Sequence, residues 1–240
     1  MTNLDPARNL ALRSGNDPVR ELPLRLRNGS LQGLHVLADD DPRWRHDPLR
    51  QARAACQGGA HVVQLRVKHR SDAAALEMAR AIRQMTREAG LSFVVNDRFD
   101  LALLAEADGV HLGQEDLPPE RLPARARARL LVGRSTHDPA ELRRALEEGV
   151  DYVGFGPVFG TASKQSPHPP RGLPALSRAV EEVAPLPLVA IGGLCVEKLP
   201  AVREAGAAGA AVISAVAGAA DPEAATRALV AAWAERGSCG

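Results

Sequence analysis

Eight short apolar runs, beginning at Leu34, His61, Ser92, Gly109, Leu130, Asp151, Leu186 and Ala210, are each followed by a segment rich in Ala, Leu, Arg and Glu. Strands separated by helix-length segments cannot join as hairpins, so they pair in parallel through crossover helices. Eight such units predict a single closed (β/α)8 barrel of the α/β class, a TIM barrel, for which 240 residues suffice. An open doubly wound sheet would place a glycine fingerprint after its first strand, but Leu34 to Ala38 runs into Asp39, Asp40, Asp41 and Pro42. Ser71-Asp72, Asp138-Pro139 and Asp221-Pro222 each precede an Ala-rich run and read as helix starts. The segment before Leu34 has no strong period. The expected organisation is an N-terminal extension over 1–33, the barrel over 34–236 and a tail over 237–240.

Charge and composition remove several classes of function. Thirty basic against 29 acidic residues give a net charge of +1, and only 3% of residues are aromatic. Neither a concentrated cationic surface nor a set of stacking platforms is available, so no nucleic-acid partner is expected. Three scattered cysteines, Cys56, Cys195 and Cys239, suggest neither a disulfide framework nor a paired metal site. No signal-type leader and no membrane-length apolar run is evident, and a cytoplasmic location is expected.

Several polar residues fall where a barrel core should be apolar. In the second strand Gln64, Arg66 and Lys68 share one face, while Val63, Leu65 and Val67 share the other. With the valines and leucine under the helices, the polar trio points into the barrel or its upper mouth. Burying two cations there requires a bound anion or carboxylates of the chain itself. Asn96-Asp97 ends the third strand and Gln114-Glu115-Asp116 follows the fourth, bringing two carboxylates to adjacent strand ends. That arrangement suits Mg²⁺, although Asp116 before Leu117-Pro118-Pro119 also suits a helix cap.

At the remaining strand ends the signals are weaker one by one. The loop from Gly154 to Lys164 combines glycines, Thr161 and Ser163 with a terminal cation, as phosphate-wrapping loops do. Gly192-Gly193 after the seventh strand and Ser214 after the eighth stand where barrels commonly bind phosphate, though glycine turns a chain anywhere. Ser135 and His137 follow the fifth strand; His137 can carry a proton, but a lone histidine is more often structural.

Taken together and in order, Gln64-Leu65-Arg66-Val67-Lys68, Asn96-Asp97-Arg98, Gly109 to Asp116, the Gly156 to Lys164 loop and Ala190-Ile191-Gly192-Gly193 resemble the thiamine phosphate synthase family. The resemblance spans roughly residues 34–235. It implies a transferase that joins hydroxymethylpyrimidine diphosphate to hydroxyethylthiazole phosphate with loss of pyrophosphate, both partners being small molecules. Asp97 and Asp116 would then hold Mg²⁺, and Arg66, Lys68, Asn96 and Lys164 would contact the diphosphate. Gln64 and Ser135 would face the pyrimidine. Thr161, Ser163, Gly193, Ile213 and Ser214 would form the thiazole phosphate pocket. Lys68, Arg66, Ser135 and Lys164 would assist departure of the leaving group, and the family is often oligomeric. Ser163 stands where the family usually has threonine, and residues 165–172 lack an acidic residue common after the lysine. Two alternatives remain open: a related thiazole tautomerase using His137 for proton transfer, and a barrel that only binds a phosphorylated metabolite.

Overall fold

The computed structural model describes residues 31–161 and 168–235. Its eight strands are β1 (Gly33–Asp39), β2 (Val62–Arg66), β3 (Ser92–Asn96), β4 (Gly109–Leu112), β5 (Leu131–Thr136), β6 (Tyr152–Phe155), β7 (Leu188–Ile191) and β8 (Gly209–Val212). Each pairs in parallel with the next, and β8 returns to β1 through Gly33 opposite Gly209 and Val36 opposite Val212, so the barrel is closed as predicted. The strand starts lie within two residues of the positions read from the sequence.

Helices α1 (Pro48–Gln57), α2 (Asp72–Ala89), α3 (Phe99–Leu104), α4 (Ala124–Arg129), α5 (Pro139–Glu147), α6 (Leu173–Val183) and α7 (Leu199–Glu204) occupy the crossovers. A four-residue helix α8 (Ser214–Ala217) and the longer α9 (Pro222–Ala234) follow β8. Asp47, Ser71, Asp138 and Asp221 cap α1, α2, α5 and α9 by accepting from backbone N–H groups of the first turn. Such caps contribute about 1 kcal/mol each. The Asp116 region behaves differently: the 3₁₀ turn at Pro119–Arg121 has no side-chain cap, and Asp116 instead accepts from the amide of Gly113 at 2.6 Å.

Strand periodicity divides the apolar residues into two cores. Val63, Leu65, Phe93, Val95, Val110 and Leu112 pack outward against the helices. Leu37, Val62, Val94, Leu131, Tyr152, Val189 and Ala211 fill the inside of the barrel, and Leu31, just ahead of β1, joins them. Residues 1–30 and 236–240 lie outside the described residues. The interior face also carries buried His35, Gln64, Asn96 and His111, which sets up a polar mouth above the inner apolar core.

Candidate active site

On the side of the mouth formed by β1–β4, the second strand places its polar face as expected. Gln64 is buried, and Arg66 and Lys68 follow at the rim. Both cations meet carboxylates of this chain. Arg66 Nη1 donates to Asp39 Oδ2 at 2.8 Å, and Lys68 Nζ lies 2.5 Å from Asp97 Oδ2. Asp39 is 1% exposed, and its backbone amide is held in turn by Gln51 Oε1 at 2.9 Å. Asp40 accepts from the amides of Lys68 and His69 at 2.8 and 2.9 Å, clamping the loop that carries Lys68. These two aspartates belong to the Asp-Asp-Asp run that served only to exclude an open sheet. Their partners lie 27–29 residues away, beyond the reach of a local pattern.

Asp97 leaves β3 with φ of 66°, a left-handed conformation that Asp tolerates better than most side chains. Its amide donates to the His111 carbonyl at 2.7 Å, tying the turn to β4. Asp97 and Asp116 hydrogen-bond to each other. Burial works against ionising Asp97, but Lys68 and Asp116 together outweigh it and hold the carboxyl below its ordinary value. Burial and the bond to Asp97 push Asp116 the other way, upward. Two carboxyls brought together in this way are driven apart in acidity, one held charged and the other made harder to ionise. The same pair suits a divalent cation, since Mg²⁺ commonly takes one or two protein carboxylates. Among the described residues no group of three or more His, Cys, Asp or Glu forms a fuller cage. Asn96 is buried at the end of β3, directly opposite His111. Arg98 does not join the site: it pairs with Asp72 and Asp100.

Beside this charged rim lies a cavity of about 890 Å³, open mouth included, lined by Gln64, His111, Ser135, His137, Thr161, Gly192, Gly193, Ile213 and Ser214 among others. Among the described residues no Asp, Glu, Lys or Arg lines it. Ser135 Oγ is 2.9 Å from His111 Nε2, and Gln114 Nε2 donates to the Ser135 carbonyl. His137 is held at Nδ1 by Glu141 Oε2 at 2.8 Å and stacks on His168 with ring centroids 4.0 Å apart. Burial lowers its proton affinity more than Glu141 raises it. With Nδ1–H donating to Glu141, Nε2 remains an acceptor.

Gly192 and Gly193 do more than turn the chain. Their φ angles are 103° and 64°, and a Cβ would fall 2.6 Å from Pro157 Cα and 2.4 Å from the Gly160 carbonyl oxygen. Bare backbone lets the loop after β6 lie directly on the loop after β7, joined by Phe159 N–H to Gly192 O at 3.0 Å. Lys198 Nζ braces the same turn through the Gly193 carbonyl at 2.9 Å. Ser214 opens α8 directly after buried Ile213. Ser163 and Lys164 fall in 162–167, outside the described residues.

Residues 34–216 match the family model for thiamine monophosphate synthase. The chain belongs to that family. It is 49% identical over 217 residues to the thiamine-phosphate synthase of Anaeromyxobacter dehalogenans (strain 2CP-C), covering 90% of this chain and 95% of the relative. The thiamine-phosphate synthase of Synechococcus sp. (strain WH7803) is 48% identical over 182 residues, which span 76% of this chain and 51% of that longer protein. In structure, the thiamine phosphate pyrophosphorylase from Pyrococcus furiosus superposes with a TM-score of 0.76 at 37% identity, over 87% of this chain and 97% of that one.

Arg134 is a further member of the thiamine monophosphate synthase scaffold that the sequence did not single out. Buried on the outward face of β5, it donates through Nη1 to the Gly113 carbonyl at 2.5 Å and lies 3.1 Å from Glu148 Oε2. It thereby fixes the turn that presents Asp116. A cation in the middle of a strand was the available signal.

Proposed function

We propose that this chain is a thiamine-phosphate synthase, a transferase that joins hydroxymethylpyrimidine diphosphate to hydroxyethylthiazole phosphate and releases pyrophosphate. The observation that carries the reading is the pairing, in one barrel mouth, of a charged rim with a cavity whose described lining carries no charged side chain, alongside the family membership. A diphosphate suits the rim and a heteroaromatic ring suits the cavity.

In this reading Gln64 and Ser135 face the pyrimidine, while Arg66, Lys68, Asn96 and Lys164 take the diphosphate. Arg66 is already aimed by Asp39. Lys68, with its side chain 45% exposed, turns from Asp97 to an arriving phosphate at small cost. Thr161, Ser163, Gly193, Ile213 and Ser214 receive the thiazole phosphate through hydroxyls and backbone amides. Asp97 and Asp116 hold Mg²⁺, which when bound neutralises diphosphate charge. The bond from the pyrimidine methylene carbon to the diphosphate oxygen breaks with its electron pair leaving on oxygen. The thiazole nitrogen lone pair then forms the new carbon–nitrogen bond. No protein nucleophile is required, so the chain's work is alignment and stabilisation of the leaving charge.

A cytoplasmic location, in keeping with the few scattered cysteines, and a homo-oligomeric state, carried over from the family resemblance, complete the proposal. No helix among the described residues is long and apolar enough to cross a membrane. The deciding experiment supplies the purified full chain with both precursors, with and without Mg²⁺, and follows thiamine phosphate. Metal-dependent product is expected. Folded protein that makes none overturns the reading.

A further inference from the structure

Below the rim, three side chains from three strands form a hydrogen-bonded line: Tyr152 Oη to His111 Nδ1 at 3.1 Å, and His111 Nε2 to Ser135 Oγ at 2.9 Å. All three border the cavity, but Tyr152 is 1% exposed and His111 9%, so Ser135 is the most open end of the line. The barrel is built around it. Gly133 on β5 and Gly154 on β6 face inward, and a Cβ on Gly133 would fall 2.2 Å from Tyr152 Cζ and 2.6 Å from His111 Nδ1. A Cβ on Gly154 would fall 3.0 Å from His111 Cε1. Glycine inside a strand weakens it, and here two are placed where only their bareness admits the rings.

The direction of the line follows from counting protons. Buried phenol holds its proton firmly, since burial raises its ionisation well above the ordinary value. That proton has an acceptor in the line only if Nδ1 presents its lone pair. A buried hydroxyl left without an acceptor is costly, so Tyr152 donates and His111 carries its proton on Nε2. Nε2–H therefore donates to Ser135 Oγ. A serine hydroxyl ordinarily donates or accepts as its surroundings require. With His111 donating to its oxygen, Ser135 has its own proton left for the cavity, and the Gln114 bond to its carbonyl holds the backbone beneath it.

We propose that Tyr152 and His111 are positioning residues that lock Ser135 as a hydrogen-bond donor into the cavity, making the site select a ring that presents a nitrogen lone pair there. This rests on the synthase reading for the identity of the ring. It assigns the specificity to a tautomer set at the inner end of the line rather than to the serine alone. A substrate ring bearing C–H or N–H at that point meets a hydroxyl proton with no acceptor, which binding sites reject strongly.

Two measurements test it. In the first, Mg²⁺-loaded full-length protein is titrated calorimetrically with hydroxymethylpyrimidine diphosphate and with its two analogues in which one ring nitrogen is replaced by C–H. The unsubstituted protein is expected to bind one analogue about tenfold or more weakly. Ser135→Ala removes that preference, and Tyr152→Phe reduces it at least about threefold while leaving the affinity for the weak analogue unchanged. Undiminished preference in Ser135→Ala, or a Tyr152→Phe loss equal for all three ligands, overturns the proposal; the second result is what a merely structural tyrosine gives. In the second, ¹⁵N-histidine spectra of the ligand-free protein locate the His111 proton, with the resonances assigned by their loss in His111→Gln. A proton on Nε2 is expected, and one on Nδ1 overturns the proposal. Absence of pyrimidine binding with the proton on Nε2 counts against the synthase reading and leaves the hydrogen-bonded line standing.

Discussion

At the rim of β1–β4, Arg66 and Lys68 each face a carboxylate of the same chain, whereas the described residues lining the cavity beside them include no Asp, Glu, Lys or Arg. Ligand binding is a different problem in the two regions. At the rim an anion must be exchanged for Asp39 or Asp97, so its affinity is a difference between two electrostatic interactions and depends on which charges the protein can release. In the cavity a ligand meets hydroxyls, imidazoles and bare glycine backbone, and affinity depends on shape and on where hydrogen-bonding protons sit. The first region should fail when a charge is lost, and the second when a charge or a methyl group is gained.

Removing one negative charge from the rim is the most damaging test. Asp116→Asn retains an oxygen for the Gly113 amide but abolishes the carboxylate pair, and kcat/KM for thiamine phosphate formation is expected to fall on the order of 10²–10³-fold. The melting temperature should change little. A native rate in the folded variant would dissolve the contrast between the two regions.

Gain of charge is tested by acid. His35 lines the cavity fully buried, and burial lowers its pKa from 6.5 to about 4, with the Leu31 carbonyl partly offsetting this. As pH falls below 6.5 the unfolded chain takes up this proton before the folded one, so the stability due to neutral His35 is present above pH 6.5 and is lost toward pH 4. Between pH 7 and pH 4.5 the loss from this group is on the order of 2–3 kcal/mol. Urea unfolding at the two pH values should show a correspondingly shallower decline in His35→Gln. Equal declines would show that the inner barrel tolerates an imidazolium.

The smallest effect concerns a single methyl group. Gly193→Ala sets a Cβ against the Gly160 carbonyl oxygen at a φ of 64°, and should cost about 1–2 kcal/mol of stability. By moving the loop after β6, it is also expected to raise KM for the thiazole phosphate about tenfold while changing that for the pyrimidine diphosphate less than about twofold. Equal changes in both constants would mean that the two regions are mechanically one.

Much of this was legible residue by residue. The parity of β2 put Gln64, Arg66 and Lys68 on one face because side chains alternate across a strand, and Asp97 and Asp116 followed from their places after successive strands. Hidden were the groups whose roles depend on distant partners. Asp39 reads as one of three consecutive aspartates until Arg66 stands opposite it. His111 and Tyr152 look like an ordinary polar strand residue and an ordinary core aromatic, yet they meet across 41 residues. Gly133 and Gly154 were the missed signal, since glycine within a strand marks close approach of another group.

By itself the sequence determined the barrel, its eight strands, the end at which its polar residues gather and the family to which they belong. The barrel and its polar end rest on local periodicity and on spacing along the chain, and the family on the resemblance of its ordered motifs, none of which needs knowledge of what lies across the barrel. Only the tertiary structure decided that the rim's cations are already paired, that Asp97 and Asp116 shift each other's acidity in opposite directions, and that a buried tyrosine dictates which way a serine donates. Those properties belong to pairs of groups brought within about 3 Å, and whether a charge or proton persists there depends on burial and geometry that closure of the barrel alone creates.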